Sequence, residues 1–243
     1  MTHAVATRHV HAGEPLLLDP LGVLWMPARA TLVVADLHLE KGSAFARRGT
    51  LLPPYDTART LRRLGWAIER YRPRTVVSLG DAFHDRAGAA ALTAANRQQL
   101  QALARGRDWL WVRGNHDPDP PAGFAGDTVA HLEIGRLRLV HLPESGDGDG
   151  RAVIAGHLHP KARLAQGARK ATRPCFAGDA QLLLMPAFGA YTGGLNVLDP
   201  AIKDLFGAAF AAFMLGEARV FEVAHHHLSA DPPDWRRHRM STA

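Results

Sequence analysis

Five short polar blocks, each directly after an apolar run of strand-like composition, constrain the fold of this 243-residue sequence more than any other feature. The apolar runs lie at residues 31–35, 75–79, 109–112, 137–140 and 152–155. In open α/β folds, side chains at the ends of the strands meet at one rim of the sheet, where ligands bind. The sequence therefore predicts an α/β fold in which the five blocks form a single site.

The side chains in these blocks are carboxylates, amides and imidazoles without a thiolate, a set that suits hard or borderline divalent metals. Asp36 and His38 are two residues apart, and so are His157 and His159. On an extended strand end, alternate side chains point the same way, so each pair is expected to reach one metal. Asp81 offers two carboxylate oxygens and is suited to bridge two cations.

The block Gly114-Asn115-His116-Asp117 is the most specific of the five. The amide oxygen of Asn115 can bind a metal without adding negative charge. His116 is then free to face a substrate, and Asp117 is predicted to hold its imidazole in one tautomer. Taken singly, each block has a plainer interpretation as a polar turn, and His141 as an ordinary hydrogen-bonded histidine. Their common position after strands favours the metal site.

The coarse pattern of secondary structure supports two packed, mixed β-sheets flanked by helices. Strands and helices alternate in the first half, which predicts parallel βαβ units; the helices are expected at residues 40–48, 56–71, with Asp56 as N-cap, and 90–104. In the second half we expect a hairpin of residues 129–134 with 137–140 and a helix at residues 201–214. Because the blocks span both halves, residues 1–228 are predicted to form one domain and residues 229–243 a loosely ordered tail.

Charge and cysteine content bound the class of protein. Lys and Arg exceed Asp and Glu by 29 − 23 = 6, and the pI is about 10.1, which favours anionic partners such as nucleic acid, although many basic proteins never bind DNA. The single cysteine, Cys175, excludes an intrachain disulfide and is expected to be a buried structural thiol. No signal peptide or membrane span is evident, so a soluble cytoplasmic protein without membrane contact is expected.

In order and in kind, the blocks resemble those of the calcineurin-like metallophosphoesterases, whose fold is a four-layer sandwich around two metals. The resemblance implies one metal held by Asp36, His38, Asp81 and His159, and a second held by Asp81, Asn115, His141 and His157. It also implies that His116 is the catalytic acid and Asp117 its orienting partner.

A second stretch narrows the resemblance. The sequence that runs from Asp36-Leu-His-Leu-Glu-Lys-Gly to Leu-Leu-Pro-Pro-Tyr-Asp-Thr is similar to the bacterial ligase-associated DNA damage response endonucleases. These are manganese-dependent phosphodiesterases. The resemblance implies two Mn²⁺ ions, DNA as substrate, a role in DNA repair, and an ATP-dependent DNA ligase and a helicase as partners.

Residues near the metal blocks are candidates for holding the substrate. Lys41, Arg47 and Arg48 follow the first block and are predicted to grip backbone phosphates; the alternative is a solvated helix face. His84, three positions after Asp81, is expected either to face the substrate or to be structural. Residues 225–227 are three histidines that, on a strand, would alternate between faces and not gather. Two other functions stay open: a phosphodiesterase for a small nucleotide or nucleotide sugar, and a non-catalytic scaffold of the same fold.

Overall fold

A computed structural model describes residues 5–118, 123–143, 150–167 and 169–232 of the chain. The strands are β1 (Thr7–His11), β2 (Glu14–Leu18), β3 (Leu24–Met26), β4 (Thr31–Ala35), β5 (Thr75–Leu79), β6 (Asp108–Val112), β7 (Asp127–Val129), β8 (Leu132–Ile134), β9 (Leu137–Val140), β10 (Ala152–Ala155), β11 (Lys161–Gln166), β12 (Arg169–Gly178), β13 (Leu182–Leu184), β14 (Ala211–Leu215) and β15 (Val220–Ala224). The α-helices are α1 (Lys41–Arg47), α2 (Asp56–Tyr71), α3 (Gly88–Ala91), α4 (Ala94–Ala104) and α5 (Pro200–Lys203).

The strands form two mixed sheets, as the sequence predicts. The first sheet has the order β1-β2-β3-β4-β5-β6-β7, antiparallel up to β4 and parallel from β4 to β7. The second has the order β15-β14-β12-β13-β10-β9-β8, with β11 paired to β12, and its parallel strands are β9, β10 and β13. The first sheet is therefore antiparallel in one half and parallel in the other, whereas the second has a parallel centre and antiparallel edges.

Strand register explains why the polar blocks meet. In the first sheet the parallel register sets Ala35 beside Leu79 and Leu79 beside Val112, so three strands end at one level. In the second sheet Val140 lies beside Ala155 in the same way. Every residue of β4 and β10 is buried, as expected for parallel strands covered on both faces. The polar blocks thus leave the sheets at a common rim.

Three buried apolar clusters hold the layers together. The first lies between the sheets and joins residues such as Val33 and Val77 to Leu139 and Ile154. The second packs the outer face of the first sheet against α2 and α4, and the third lies on the outer face of the second sheet, where Cys175 is fully buried. No helix in the described ranges is both long enough and apolar enough to cross a membrane.

Several sequence predictions about secondary structure need correction. The helix predicted at residues 201–214 is wrong: α5 ends at Lys203, and Ala211–Leu215 is strand β14 between β12 and β15. Ala212, Phe213 and Met214 are all buried, because this strand is covered on both faces. The helix predicted at 90–104 begins later, at Ala94, where the Thr93 side chain accepts a hydrogen bond from Asn96 N.

The helices predicted at 40–48 and 56–71 are confirmed as α1 and α2, but Asp56 is not an N-cap. It is the first helical residue, and its carboxylate accepts a hydrogen bond from Gly42 N at 3.0 Å, which ties α2 to α1. The strand predicted at 129–134 is divided between the sheets, because β7 ends at Val129 and β8 begins at Leu132.

The C-terminal part of the chain bears on two predictions. At the start of the predicted tail, Ser229 N donates to Arg163 O, and Asn196 Nδ2 donates to Ser229 O and to Asp231 Oδ1; the loose order of the tail stays a prediction. Residues 233–243 of the predicted tail lie outside the described residues. The histidines at 225–227 form a 3-10 turn rather than a strand, and two of their rings lie 4.1 Å apart.

A loop at residues 186–194 supports the first polar block from behind. Phe188 N donates to Ala35 O and Gly189 N to Asp36 O, at 2.9 and 3.0 Å. Arg63 of α2 donates to Phe188 O at 2.9 Å, which fixes the loop on the helix. A Cβ atom on Gly189 would lie 2.2 Å from the carbonyl oxygen of Leu37, so only glycine fits this approach.

We predict that Gly189→Ala lowers the free energy of unfolding by at least ~2 kcal/mol, because one backbone segment has to move away from the other. Gly65→Ala is the matched control, since its Cβ would meet only Leu103 Cδ2, at 3.6 Å. Alanine in a helix is favoured over glycine by up to ~1 kcal/mol, so this control should be neutral or stabilising. Urea denaturation measures both; equal stability of Gly189→Ala and the original protein would contradict the close approach.

Candidate metal centre

The backbone at the rim is left-handed at five of the seven predicted metal ligands. The φ angles are 53° for Asp36, 41° for His38, 44° for Asp81, 70° for His157 and 48° for His159. Left-handed conformations are uncommon for residues other than glycine, and they cluster at functional sites. The expectation that each pair of ligands lies on an extended strand end is therefore wrong, although the side chains do converge.

Hydrogen bonds across the rim hold these turns in place. His38 N donates to Asp81 O at 2.9 Å, which links the first block to the second. His157 N donates to both carboxylate oxygens of Asp36, at 3.0 and 3.2 Å, which links the fifth block to the first. The strained backbone thus belongs to a network that spans both sheets.

Asp36, His38 and His159 form the first cluster of potential ligands. The Nε2 atoms of His38 and His159 lie 3.2 Å apart, and Asp36 Oδ1 lies 3.3 Å from His159 Nε2. The three ligand atoms lie within 4.8 Å of one another, so they can surround one cation. This cluster contains three of the four residues that the family resemblance assigns to the first metal. The fourth residue of that set is Asp81.

Asp81, His141 and His157 form the second cluster, with the same 4.8 Å spread. His141 Nε2 lies 3.4 Å from Asp81 Oδ2 and 2.9 Å from Asn115 Oδ1, so Asn115 joins this group. Asp81 Oδ2 also lies 3.8 Å from His38 Nε2, in the first cluster. The buried Asp81 carboxylate thus lies between the two groups, in the position that a bridging ligand requires.

The protonation states of the buried groups suit metal binding. Burial, followed by the charge of His159, holds the pKa of His38 well below its usual range, so its imidazole is neutral at pH 7. Burial opposes ionisation of Asp81 and of His141, but the hydrogen bond between them wins: it lowers the pKa of Asp81 and raises that of His141. A cation bound here would favour the neutral imidazole of His141 and the ionised carboxylate of Asp81, because metal ligands bind in their deprotonated forms.

Glycines before three of the blocks make room for these side chains. A Cβ on Gly80 would lie 2.1 Å from His141 Nδ1, and one on Gly114 would lie 2.2 Å from Asp81 N. A Cβ on Gly156 would lie 2.8 Å from Asp36 Oδ2. The donor set and the cramped packing around it fit a pair of divalent metals.

His116 stands at the open side of the two clusters, where 41% of its side chain is exposed. Its backbone N donates to Asp81 Oδ1 at 2.9 Å, and its ring Nε2 lies 3.9 Å from Asp81 Oδ2. Ring Nδ1 lies 2.8 Å from the carbonyl oxygen of His84, so the tautomer protonated at Nδ1 fits this contact. Nε2 is then the ring nitrogen that remains for chemistry.

The predicted contact between the Asp117 carboxylate and the His116 ring is not found among the described residues. The carboxylate turns inward instead, where Oδ2 accepts a hydrogen bond from Phe83 N at 2.9 Å and Oδ1 is buried without a partner. Burial raises the pKa of Asp117 to about 7. The carbonyl of His84, rather than Asp117, therefore orients the His116 ring.

The His84 side chain also belongs to the site. Its ring stacks on that of His116 with centroids 5.4 Å apart and meets the His38 ring edge to face. Burial first, and then the charge of Lys41, lowers the pKa of His84 to about 4. The sequence alone could not decide whether His84 faces the substrate or is structural. Its position three residues after Asp81 does not show that α1 and the turn at His116 enclose its ring.

The structure distinguishes the three basic residues predicted to hold substrate. Arg47 Nη2 lies 2.5 Å from Asp85 Oδ2, so its guanidinium is engaged in an ion pair and does not project alone. Lys41 and Arg48 both lower the pKa of His84, so their charges lie near the site. The role of all three residues in holding substrate stays a prediction, and in this structure Arg47 is paired with Asp85.

Two clefts adjoin the clusters. One, of about 360 Å³, touches Asn115 and His141 and is also lined by Arg113 and Arg138. The other, of about 140 Å³, touches His159. The two arginines belong to no recognisable motif, so their position could not be predicted from the sequence. The pairing of β8 with β9 and the turn after β6 set them beside the site.

Comparisons with known proteins agree with this geometry. The sequence model of the family described as calcineurin-like phosphoesterase matches residues 30–144, which include four of the five polar blocks. The chain contains a calcineurin-like phosphoesterase domain. The resemblance at the level of the superfamily is confirmed, and that to the ligase-associated endonucleases stays a prediction.

Among solved structures, the chain is similar to the nuclease MPE of Pseudomonas putida, with 27% identity and a TM-score of 0.69 over 90% of this chain and 100% of that chain. Yfce, a phosphoesterase from E. coli, matches at 14% identity and a TM-score of 0.38, over 79% of this chain and 97% of that chain. Curated protein sequences give no significant match. The family and the nuclease neighbour support a hydrolase of phosphoester bonds.

The contact between His116 and His84 yields a prediction that needs no substrate. In protein with ¹⁵N-labelled histidine, neutral His116 should carry its proton on Nδ1, and Asp117→Asn should leave that pattern in place. Asparagine keeps an oxygen that can accept the hydrogen bond from Phe83 N. Transfer of the His116 proton to Nε2 in Asp117→Asn would show that Asp117 orients the ring after all.

Proposed function

We propose that the protein is a dinuclear-metal phosphodiesterase that cleaves DNA. The observation that carries the proposal is the arrangement of two ligand clusters on either side of one buried carboxylate, Asp81, with an exposed histidine beside them. Two metals 3.5–4 Å apart are roughly what phosphatases and nucleases use to act on both oxygens of an in-line displacement. The neighbour from Pseudomonas putida is a nuclease and aligns over its whole length.

The first cation would be held by Asp36, His38, His159 and Asp81, and the second by Asp81, Asn115, His141 and His157. The mixture of carboxylate, amide and imidazole ligands is compatible with Mn²⁺, which we propose as the metal. When bound, such a pair supplies positive charge to the phosphoryl oxygens and lowers the pKa of water. The buried carboxylates and the imidazoles of these residues would hold that charge in a fixed place.

His116 is proposed to act as the general acid. The hydrogen bond from Nδ1 to His84 O fixes the orientation of the His116 ring, with Nε2 directed toward the carboxylate of Asp81. In its protonated form, Nε2–H can donate to the leaving oxygen as the P–O bond breaks, after which the ring is neutral. Such a proton transfer contributes ~10²–10⁴-fold to the rate.

The positively charged residues beside the two clusters favour an anionic diester as substrate. We propose that Lys41 and Arg48 hold the phosphates next to the scissile one, with His84 close to the leaving group. Arg47 instead fixes α1 to Asp85, on the loop that follows Asp81. The similarity of the stretch from Asp36 to Thr57 supports a place in DNA repair in the cytoplasm, with an ATP-dependent DNA ligase and a helicase as partners.

One observation favours a second candidate, a phosphodiesterase for a small nucleotide. The cleft of about 360 Å³ beside Asn115 and His141 is comparable with small-molecule pockets, and it offers the guanidinium groups of Arg113 and Arg138. A non-catalytic scaffold is not favoured, because the residues that the reaction requires are all present and gathered at one rim.

A panel of substrates, tested on metal-stripped protein before and after Mn²⁺ is added back, decides between the two candidate functions. We expect hydrolysis of single-stranded DNA and of bis-nitrophenyl phosphate to vanish after EDTA and to return with Mn²⁺, with up to two ions per chain by elemental analysis. Full activity after complete removal of metal would contradict the mechanism. Efficient turnover of a small nucleotide diester without any cleavage of DNA would replace the leading function with the second.

Two substitutions separate metal binding from proton donation. Asp81→Ala should lose bound metal and turnover together, because its carboxylate serves both clusters. His116→Ala should keep its metal and lose ~10²–10⁴-fold in rate on DNA, with a smaller loss on a nitrophenyl ester, whose leaving group needs little protonation. Metal content and kcat of both variants test this; equal metal loss in the two would show that His116 is a ligand.

A further inference from the structure

The hairpin of β11 and β12 extends beyond the second sheet. The inner part of β12, from Cys175 to Gly178, is buried and pairs with β14. The outer part, residues 169–174, is exposed and pairs only with β11. The hairpin is thus a projecting arm whose base is anchored in the sheet.

This arm is strongly basic. Residues 161–178 include Lys161, Arg163, Arg169, Lys170 and Arg173 and no acidic residue, a charge of +5 against +6 for the whole chain. Among the described residues, no ion pair is found for Arg169, Lys170 or Arg173. Cations along an exposed ribbon favour a long anionic partner over a small one.

Strand register shows which face of the arm looks toward the metal centre. Residues directly opposite in an antiparallel pair share a face. Lys161 pairs with Pro174, Arg163 with Thr172, and Ala165 with Lys170, which defines the first face. Lys161, Thr172 and Pro174 line the cleft that touches His159, so the first face continues from the metal centre.

The second face holds Ala162 with Arg173, Leu164 with Ala171, and Gln166 with Arg169. At the base this face packs on the core, since Ala162 is fully buried and Leu164 packs against the same cluster. Lys170 and Arg169 are therefore neighbours in sequence with equal charge and similar exposure on opposite faces of one arm.

We propose that the first face of this arm binds the phosphate backbone of a DNA strand that leaves the metal centre past His159. Lys170 lies opposite Ala165, four residues beyond Lys161, which is about 13 Å along the strand. That distance covers several phosphates of a polynucleotide, whereas a small diester ends well before it. The inference deepens the proposed function and rests on it for the identity of the strand.

The test compares two charge reversals, Lys170→Glu and Arg169→Glu, in the full chain. The first readout is binding of a fluorescent single-stranded oligonucleotide of about 20 nucleotides, long enough to span the centre and the arm. Lys170→Glu should weaken binding about tenfold and reduce the slope of log K against log salt by about 0.7, as for the loss of one phosphate contact. Arg169→Glu should weaken binding about twofold or less.

The second readout is the ratio of kcat/KM for DNA to that for bis-nitrophenyl phosphate, which should fall in Lys170→Glu and much less in Arg169→Glu. Equal losses of DNA binding in the two variants, or no loss in either, would overturn the assignment. Retained DNA binding with lost binding of a polyglutamate probe would overturn it in favour of an acidic protein partner. If the original protein binds DNA but hydrolyses only small diesters, the proposed function fails while the comparison of binding still decides the role of the arm.

Discussion

The two sheets share one functional rim because a single carboxylate joins them. Asp36 ends a strand of the first sheet, and its carboxylate accepts hydrogen bonds from His157 N, at the end of a strand of the second. Its backbone carbonyl accepts another from Gly189, in the supporting loop. Because the carboxylate is fully buried, these bonds are costly to lose. The convergence of the other ligands depends on this junction, since it fixes the fifth block against the first.

Around this junction the backbone is locally strained, and the strained conformations place the ligand side chains next to one another. Five ligand residues adopt left-handed backbone angles, and three glycines allow contacts that a Cβ would block. The opposing stabilisation comes from buried strands on both sides and from α2, which holds the supporting loop through Arg63. The rim is therefore rigid where cations are proposed to bind and open beside His116, where a substrate has to enter and leave.

The sequence predicted the site better than it predicted the elements around it. Polar residues that directly follow apolar runs are visible in the sequence. Because parallel strands in register end at the same level, these residues are expected to meet, so both ligand clusters could be inferred. The helix predicted at residues 201–214 failed because an alanine-rich apolar run has no periodicity that separates a buried strand from a helix. The contact between Asp117 and the His116 ring was misjudged because neighbours in sequence do not reveal partners in space: the Asp117 carboxylate accepts from Phe83 N instead. The ion pair between Arg47 and Asp85 was not visible in the sequence for the same reason. The basic arm was missed for the same reason, since only pairing sorts its cations onto two faces.

The left-handed ligands carry a consequence for how variants of this protein are judged. A histidine or aspartate held at positive φ costs of order 1–3 kcal/mol, and glycine at the same place releases that cost. His38→Gly or His159→Gly would also lose the hydrogen bond between the two Nε2 atoms, which lie 3.2 Å apart, so the released backbone strain has to exceed that loss. A protein stripped of a ligand in this way can melt at a higher temperature than the original when no metal is bound. Thermal stability and catalytic competence are thus opposed at this rim, and selection for stability alone would tend to erode the metal centre.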